Sequence, residues 1–295
     1  MGVMTAFPAA LRRLTALLLL AAAIPASAQE APRPPAGKWV VDFAPSQCLA
    51  SRLYGTGEDA VTLLVKPSPL GNVVQVALIT KGRRGDAEQV AGAISVDDRA
   101  PADASFLAYN LEGGDKQVVN VANLSQQAFA PLRQATRVHI RAGARPDVTL
   151  QLTQMKQVTD ALDTCVADLQ TVWNVDSQSN GTIRQYAIPK RQFINLFTAE
   201  DYPSTAIRQA QTGDLSFVLL IDEKGALADC TIDQTSGVAS LDAQSCFVFR
   251  TRAKFTPAVG ADGQPAKSIL KGIIHWVLPG GSTKPKRKYA EGVEE

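Results

Sequence analysis

Histidine is nearly missing: the 295 residues hold two, His139 and His275. Each stands in a strand-like pattern with no second ligand at metal-binding spacing, so neither a metal site nor a histidine-based catalytic pair is expected. No Gly-x-Ser-x-Gly sequence occurs, and Asp233-Gln-Thr-Ser-Gly237 lacks the Asp-Thr adjacency of an aspartic-protease loop. Gly55-Thr-Gly57 and Gly82-Arg-Arg-Gly85 lack the rest of a phosphate loop and read as turns. An excess of one charge is missing too. Thirty Lys and Arg against 28 Asp and Glu give +2, with no like-charge block before the last dozen residues, a poor fit to nucleic acid. A long apolar run is also absent: Leu14 to Ile24 is eleven residues, against the roughly 20 that cross a bilayer. The sequence is 45% apolar and 20% charged, which excludes disordered and collagenous classes.

The eleven-residue run has a meaning of its own. Arg12 and Arg13 precede it, and Pro25, Ala26, Ser27 and Ala28 follow. This is the pattern of a secretory signal peptide over residues 1–28, cleaved after Ala28. An uncleaved membrane anchor is the lesser alternative. Without Arg12 and Arg13 the chain balances at 28 basic against 28 acidic groups. Export gives the four cysteines a role, since an oxidising compartment favours disulfides and four thiols allow three connectivities. Pairing within each half, Cys48 with Cys165 and Cys230 with Cys246, is the simplest choice.

Residues 29–37 are rich in proline and read as a lead-in spacer. Over 38–175 the pattern is mostly period two: Val61, Leu63, Val65; Val74, Val76, Leu78; Val138, Ile140; Val148, Leu150. With turn residues between the runs, an antiparallel β-sandwich or half-barrel is expected. The period then changes. Val158, Leu162, Cys165, Leu169 and Trp173 form one stripe of an amphipathic helix that buries Cys165. A bridge back to Cys48 would contribute about 4 to 5 kcal/mol in the chain-entropy account. Residues 176–192 read as a polar linker, and 282–295 as a charged, solvated tail.

In the span 193–281, Pro203 begins a short helix through Arg208 and Ala210. Leu215, Phe217, Leu219 and Ile221 alternate along a strand, Asp222 to Gly225 turns it, and Ala228, Cys230 and Ile232 return. Ser240 is expected to cap a helix whose buried stripe is Ala243, Cys246, Phe249 and Ala253. Cys230 and Cys246 then face each other from strand and helix, a bridge worth about 3 kcal/mol. A last strand follows, with Leu270, Ile274, Trp276 and Leu278 inward and Lys271, Ile273, His275 and Val277 outward. The fold class is therefore α+β: an antiparallel β domain ending in a helix, then a small domain of helix, β-hairpin, helix and strand with a three-stranded sheet. Trp39, Trp173 and Trp276 read as core residues.

The ordered set Tyr202-Pro203, Gly213, Phe217, Ile221-Asp222, Gly225, Ser236-Gly237, Leu241-Asp242, Phe255, Pro257 and Trp276-Val277 resembles the TonB family's C-terminal domain over residues 193–280. The resemblance implies a periplasmic binding module, not an enzyme, that takes extended segments of outer-membrane receptors as an added strand and serves TonB-dependent transport. It assigns partner contacts to Tyr202, Pro203, Lys271, Ile273, His275 and Val277, and implies no cofactor. It extends to residues 38–175 more weakly, through a late Cys165 and Trp173. The short apolar run and nine-residue spacer depart from full transducers, so a motor partner is expected only if the N-terminus stays uncleaved. A homodimer is possible. The alternatives are an envelope adaptor similar to the TolA C-terminal module, and an enzyme with its site in residues 38–175.

Overall fold

The computed structural model describes residues 1–2, 31–85, 87–111, 117–176 and 181–278. The expected signal peptide from residue 3 onward with its cleavage point, part of the expected linker and the expected charged tail lie outside them. All that follows concerns the unit beginning at Ala31.

Nine antiparallel strands form the first sheet: β1 (Val40–Ala44), β2 (Gln47–Tyr54), β3 (Val61–Pro67), β4 (Val73–Lys81), β5 (Glu88–Val96), β6 (Ala102–Asn110), β7 (Gln117–Ser125), β8 (Arg137–Ala142) and β9 (Asp147–Gln151), in the order β1-β2-β3-β4-β7-β6-β5-β8-β9. Alternate residues point to one side, so Val61, Leu63 and Val65 on β3 meet Val76 and Leu78 on β4, Ala122 on β7, Ile140 on β8 and Leu150 on β9 in a single core.

That shared interior means the sheet is bent round on itself, and the proline-rich lead-in completes the bend. Arg33 N donates to Thr149 O at 2.8 Å and Gln151 N to Arg33 O at 2.9 Å, while Ala36 N donates to Leu53 O at 2.9 Å. Residues 33–36 thus bond β9 on one side and β2 on the other. Two expectations are corrected. The domain is a barrel rather than a sandwich or half-barrel, and residues 29–37 are not a mere spacer, because 33–36 form its seam. Proline cannot sit in a central strand, but the two prolines here, Pro34 and Pro35, leave the N–H groups of Arg33 and Ala36 to make the bonds.

One end of the barrel is plugged. The helical turn α1 (Gln126–Phe129), the 3₁₀ segment Ala130–Gln134 and helix α2 (Met155–Val172) bring Phe129, Leu132, Val158, Leu162 and Leu169 into the core. The period-3.6 stripe is buried along its length, and Cys165 on it bonds Cys48 of β2. Trp173 is 2% exposed and its Nε1 donates to Pro45 O at 3.0 Å. Arg52 ties the seam to this end, donating to Gly37 O at 2.9 Å and to Thr153 Oγ1 at 2.7 Å.

The chain then builds a second layer. Where the sequence suggests a linker, β10 (Ile183–Gln185) and β11 (Ile188–Pro189) pair with strands from beyond Arg252. Helix α3 (Ser204–Arg208), hairpin β12 (Gly213–Ile221) and β13 (Leu227–Gln234), helix α4 (Ala239–Arg252), short strands β14 (Phe255–Thr256), β15 (Ala258–Gly260) and β16 (Pro265–Ala266), and β17 (Ser268–Trp276) follow. The hairpin turns at Gly225, φ +77°, where an added Cβ would lie 2.4 Å from Phe255 O. Cys230 on β13 bonds Cys246 on α4, as strand parity and helix stripe anticipate.

Ser240 does not cap α4: its N and Oγ both donate to Gln89 Oε1 on the barrel, at 3.1 and 3.2 Å. The helix start is held instead by Asp242, 1% exposed, which accepts from Ser236 N, Ser236 Oγ and Thr235 Oγ1 at 3.0, 2.7 and 2.6 Å and from Asn123 Nδ2 of the barrel at 2.9 Å. The two layers also share apolar packing. Leu215, Phe217, Leu219 and Ile221 face α4, while Val218 and Leu220, on the opposite face of β12, enter the barrel's cluster.

Candidate functional site

Strand order in the C-terminal sheet is β13-β12-β17, so β17 has β12 as its one strand partner among the described residues. The pairing is unbroken from Gly213 opposite Trp276 to Ile221 opposite Ser268. The other edge, β13, is a poorer template. Its register slips where Asp233 and Ala228 have no opposite residue, and Asp229 there binds Arg250 at 3.0 Å and Lys66 of the barrel at 3.5 Å. Bulges and charged side chains protect an edge; a nine-residue strand without a register shift leaves its outer backbone groups ready for another chain.

Alternation decides what such a chain would meet. Leu270, Gly272, Ile274 and Trp276 turn toward α4, and Lys271, Ile273, His275 and Val277 turn away and are exposed. Ile273 is 63% exposed and Val277 58%. His275 Nδ1 lies 2.8 Å from Asp214 Oδ1 on β12, which anchors the imidazole beside this apolar pair.

The strand is packed from beneath. Phe217 fills the space below Gly272, where a Cβ would sit 2.5 Å from its Cζ. Phe193 and Phe249 box that ring, with centroids at 5.6 and 4.5 Å. Trp276 donates Nε1 to Ser245 Oγ at 3.0 Å and takes Phe197 and Tyr202 edge-on at 5.7 and 5.2 Å. Edge-to-face contacts of this kind orient rings as well as bury them.

The structure brings four of the six expected contact residues, Lys271, Ile273, His275 and Val277, into one exposed row. It places the other two differently. Tyr202 is 6% exposed, its hydroxyl donates to Gln211 O at 2.5 Å, and burial pushes its phenol pKa up. It supports Trp276 from inside. Pro203 is half-buried at the N-cap of α3, one residue from Tyr202.

Three supporting residues escaped the sequence reading. Phe193 opens the three-residue 3₁₀ turn Phe193–Asn195 and Phe197 lies just past it, too short a stretch for a period to reveal them. Arg252, at the end of α4, reaches back to Asp201 with Nη1–Oδ2 at 2.6 Å and Nη2–Oδ1 at 2.7 Å, and to Leu196 O at 2.6 Å. The Arg252 guanidinium, with Thr198 N and Oγ1 adding bonds at 2.8 and 3.1 Å, holds the Asp201 carboxyl below its ordinary value. Such a two-pronged pair fixes orientation as well as charge, and it locks the segment carrying Tyr202 onto α4. Its members are 51 residues apart, beyond any local signal.

His139 pairs with Asp147 at 2.6 Å on the barrel, far along the sequence from this edge. Among the described residues no group of three or more His, Cys, Asp or Glu is placed to hold a metal ion, and no helix is long and apolar enough to cross a membrane. Residues 198–278 match the family described as Gram-negative bacterial TonB protein C-terminal. No curated protein and no solved structure matches the chain.

Proposed function

Taking residues 198–278 as a TonB C-terminal domain, a protein-interaction module of the bacterial envelope, we propose that this chain is an exported periplasmic protein that binds extended segments of outer-membrane receptors along β17. The observation that carries the reading is the edge itself: a nine-residue strand in unbroken register with its one strand partner among the described residues and an exposed row of Lys271, Ile273, His275 and Val277. An incoming strand gains backbone hydrogen bonds along the edge, and alternate side chains read the row. Ile273 and Val277 supply apolar contact, and Lys271 favours an acidic residue in the partner. Tyr202 acts from behind, by packing edge-on against Trp276.

The test is a titration of the isotope-labelled full chain with a synthetic peptide copied from the periplasmic-face segment of an outer-membrane receptor. Amide shifts concentrated in residues 268–277 support the reading. Ile273→Asp, on an exposed side chain, leaves the fold intact and weakens binding at least tenfold, because a desolvated carboxylate replaces apolar contact. Binding of the peptide elsewhere on the chain, or unchanged affinity in Ile273→Asp, overturns it.

A further inference from the structure

The barrel is plugged at one end by α1 and α2, and the opposite end is open. There a cavity of about 510 Å³ is bounded by the starts of β3, β7 and β9, the end of β4 and the seam, a volume within the usual range for small-molecule sites. Its floor holds an anomaly. Asn120 lies on the inward face of β7, opposite Leu78 of β4 and Ala108 of β6. It is 0% exposed, lines the cavity, and neither Nδ2 nor Oδ1 has a hydrogen-bond partner among the described residues. Leaving both ends of a buried amide unpaired is unfavourable, and a leucine of similar size would continue the surrounding apolar wall without that cost.

The rim is basic. Lys81 is neutralised by Glu58 at 2.9 Å, Arg84 pairs with Glu88, and Arg33 donates to Asp59 O at 2.7 Å. Asp147 is engaged by His139. Two rim cations remain, Arg83 and Arg145, both exposed and without a carboxylate partner among the described residues.

We propose that this mouth is a binding site for a small carboxylate that also carries an amide, of the size of a short acidic peptide. An amide presents one acceptor and a donor side by side, so a ligand amide that displaces the side chains covering Asn120 can satisfy its Oδ1 and Nδ2 together. The ligand's carboxylates then fall to Arg83 and Arg145, whose planar donor pairs match them. The site is separate from β17 and does not depend on the function proposed for that edge.

The experiment is calorimetric titration of the full chain with N-acetyl-alanyl-glutamate, beside two controls: the same dipeptide with both carboxyls amidated, and glutarate, which has the carboxylates without the amide. Saturable binding of the acidic dipeptide, at least tenfold tighter than either control, is expected. Arg83→Gln and Arg145→Gln each weaken it about tenfold, the worth of one charge-assisted contact. Asn120→Leu abolishes binding while raising the melting temperature, since it removes the unpaired amide; that thermal gain shows that the variant folds. No binding of the dipeptide to the folded wild-type chain, equal binding of glutarate, or retained affinity in Asn120→Leu overturns the proposal.

Discussion

Gly272 is the position where the candidate edge is most exposed to a single-atom test. An alanine Cβ there would stand 2.5 Å from Phe217 Cζ, 2.9 Å from Cε1 and 3.4 Å from Cε2. Ordinary carbon contacts begin near 3.5 Å, so ring or strand must give way by about 1 Å. The ring cannot: Phe217 is 2% exposed and held by Phe193 and Phe249. The strand has more freedom, because β12 is its one strand partner among the described residues, and it lifts. Overpacking costs about 1–3 kcal/mol, offset in part by the roughly 0.5–1 kcal/mol that glycine costs in a strand. Gly272→Ala is therefore expected to lose about 1–2 kcal/mol in urea unfolding of the full chain. Phe217→Leu alone leaves a cavity and loses a comparable amount. Together the two relieve each other, since leucine withdraws the atoms that collide, and the cycle should show a favourable coupling of about 1 kcal/mol. Additive losses, or a Gly272→Ala protein as stable as wild type, would refute the packing argument.

Three further outcomes are expected. Replacing Cys48 and Cys165 by serine should cost about 5 kcal/mol and replacing Cys230 and Cys246 about 3 kcal/mol, from loops of 117 and 16 residues; thermal melting of each double variant checks the order. Asp242→Ala strips buried donors on both layers and should lose about 2–4 kcal/mol, read from the urea midpoint, with Asp242→Asn keeping part of it. Asp201 has its folded pKa lowered by Arg252, so its contribution is whole above the unfolded carboxyl value of about 3.9. It is lost as pH falls through the lower folded value. Asp201→Asn should flatten that acid limb of the stability profile and leave its slope at neutral pH unchanged.

The sequence carried what repeats locally. Period-two runs such as Val61, Leu63, Val65 and the stripe from Val158 to Trp173 mark strands and helix because the pleat and the helical turn impose those periods on burial. Parity and stripe together also paired Cys230 with Cys246. What failed to show is non-local or aperiodic. Barrel closure depends on bonds from Arg33 to Thr149 and from Ala36 to Leu53, which no local pattern announces. Ser240 looked like a cap because serine often is one, yet Asp242 two residues on was the stronger acceptor and Gln89 of the barrel claimed the serine. At the candidate edge, alternation found Lys271, Ile273, His275 and Val277 but could not tell that Tyr202 faces inward, since an aromatic beside a proline fits either side.

The seam at residues 33–36 bears on how this protein could be handled and processed. Residues 33–36 separate a closed surface from two raw edges, one at the Leu53–Tyr54 end of β2, beyond its pairing with β1, and one on β9. A truncation begun at Lys38 would remove only a short, proline-rich stretch, yet it would leave two strands facing each other with their hydrogen-bonding groups bare, each a template for a neighbouring molecule. Self-association would then replace closure, and the loss would read as aggregation rather than as missing sequence.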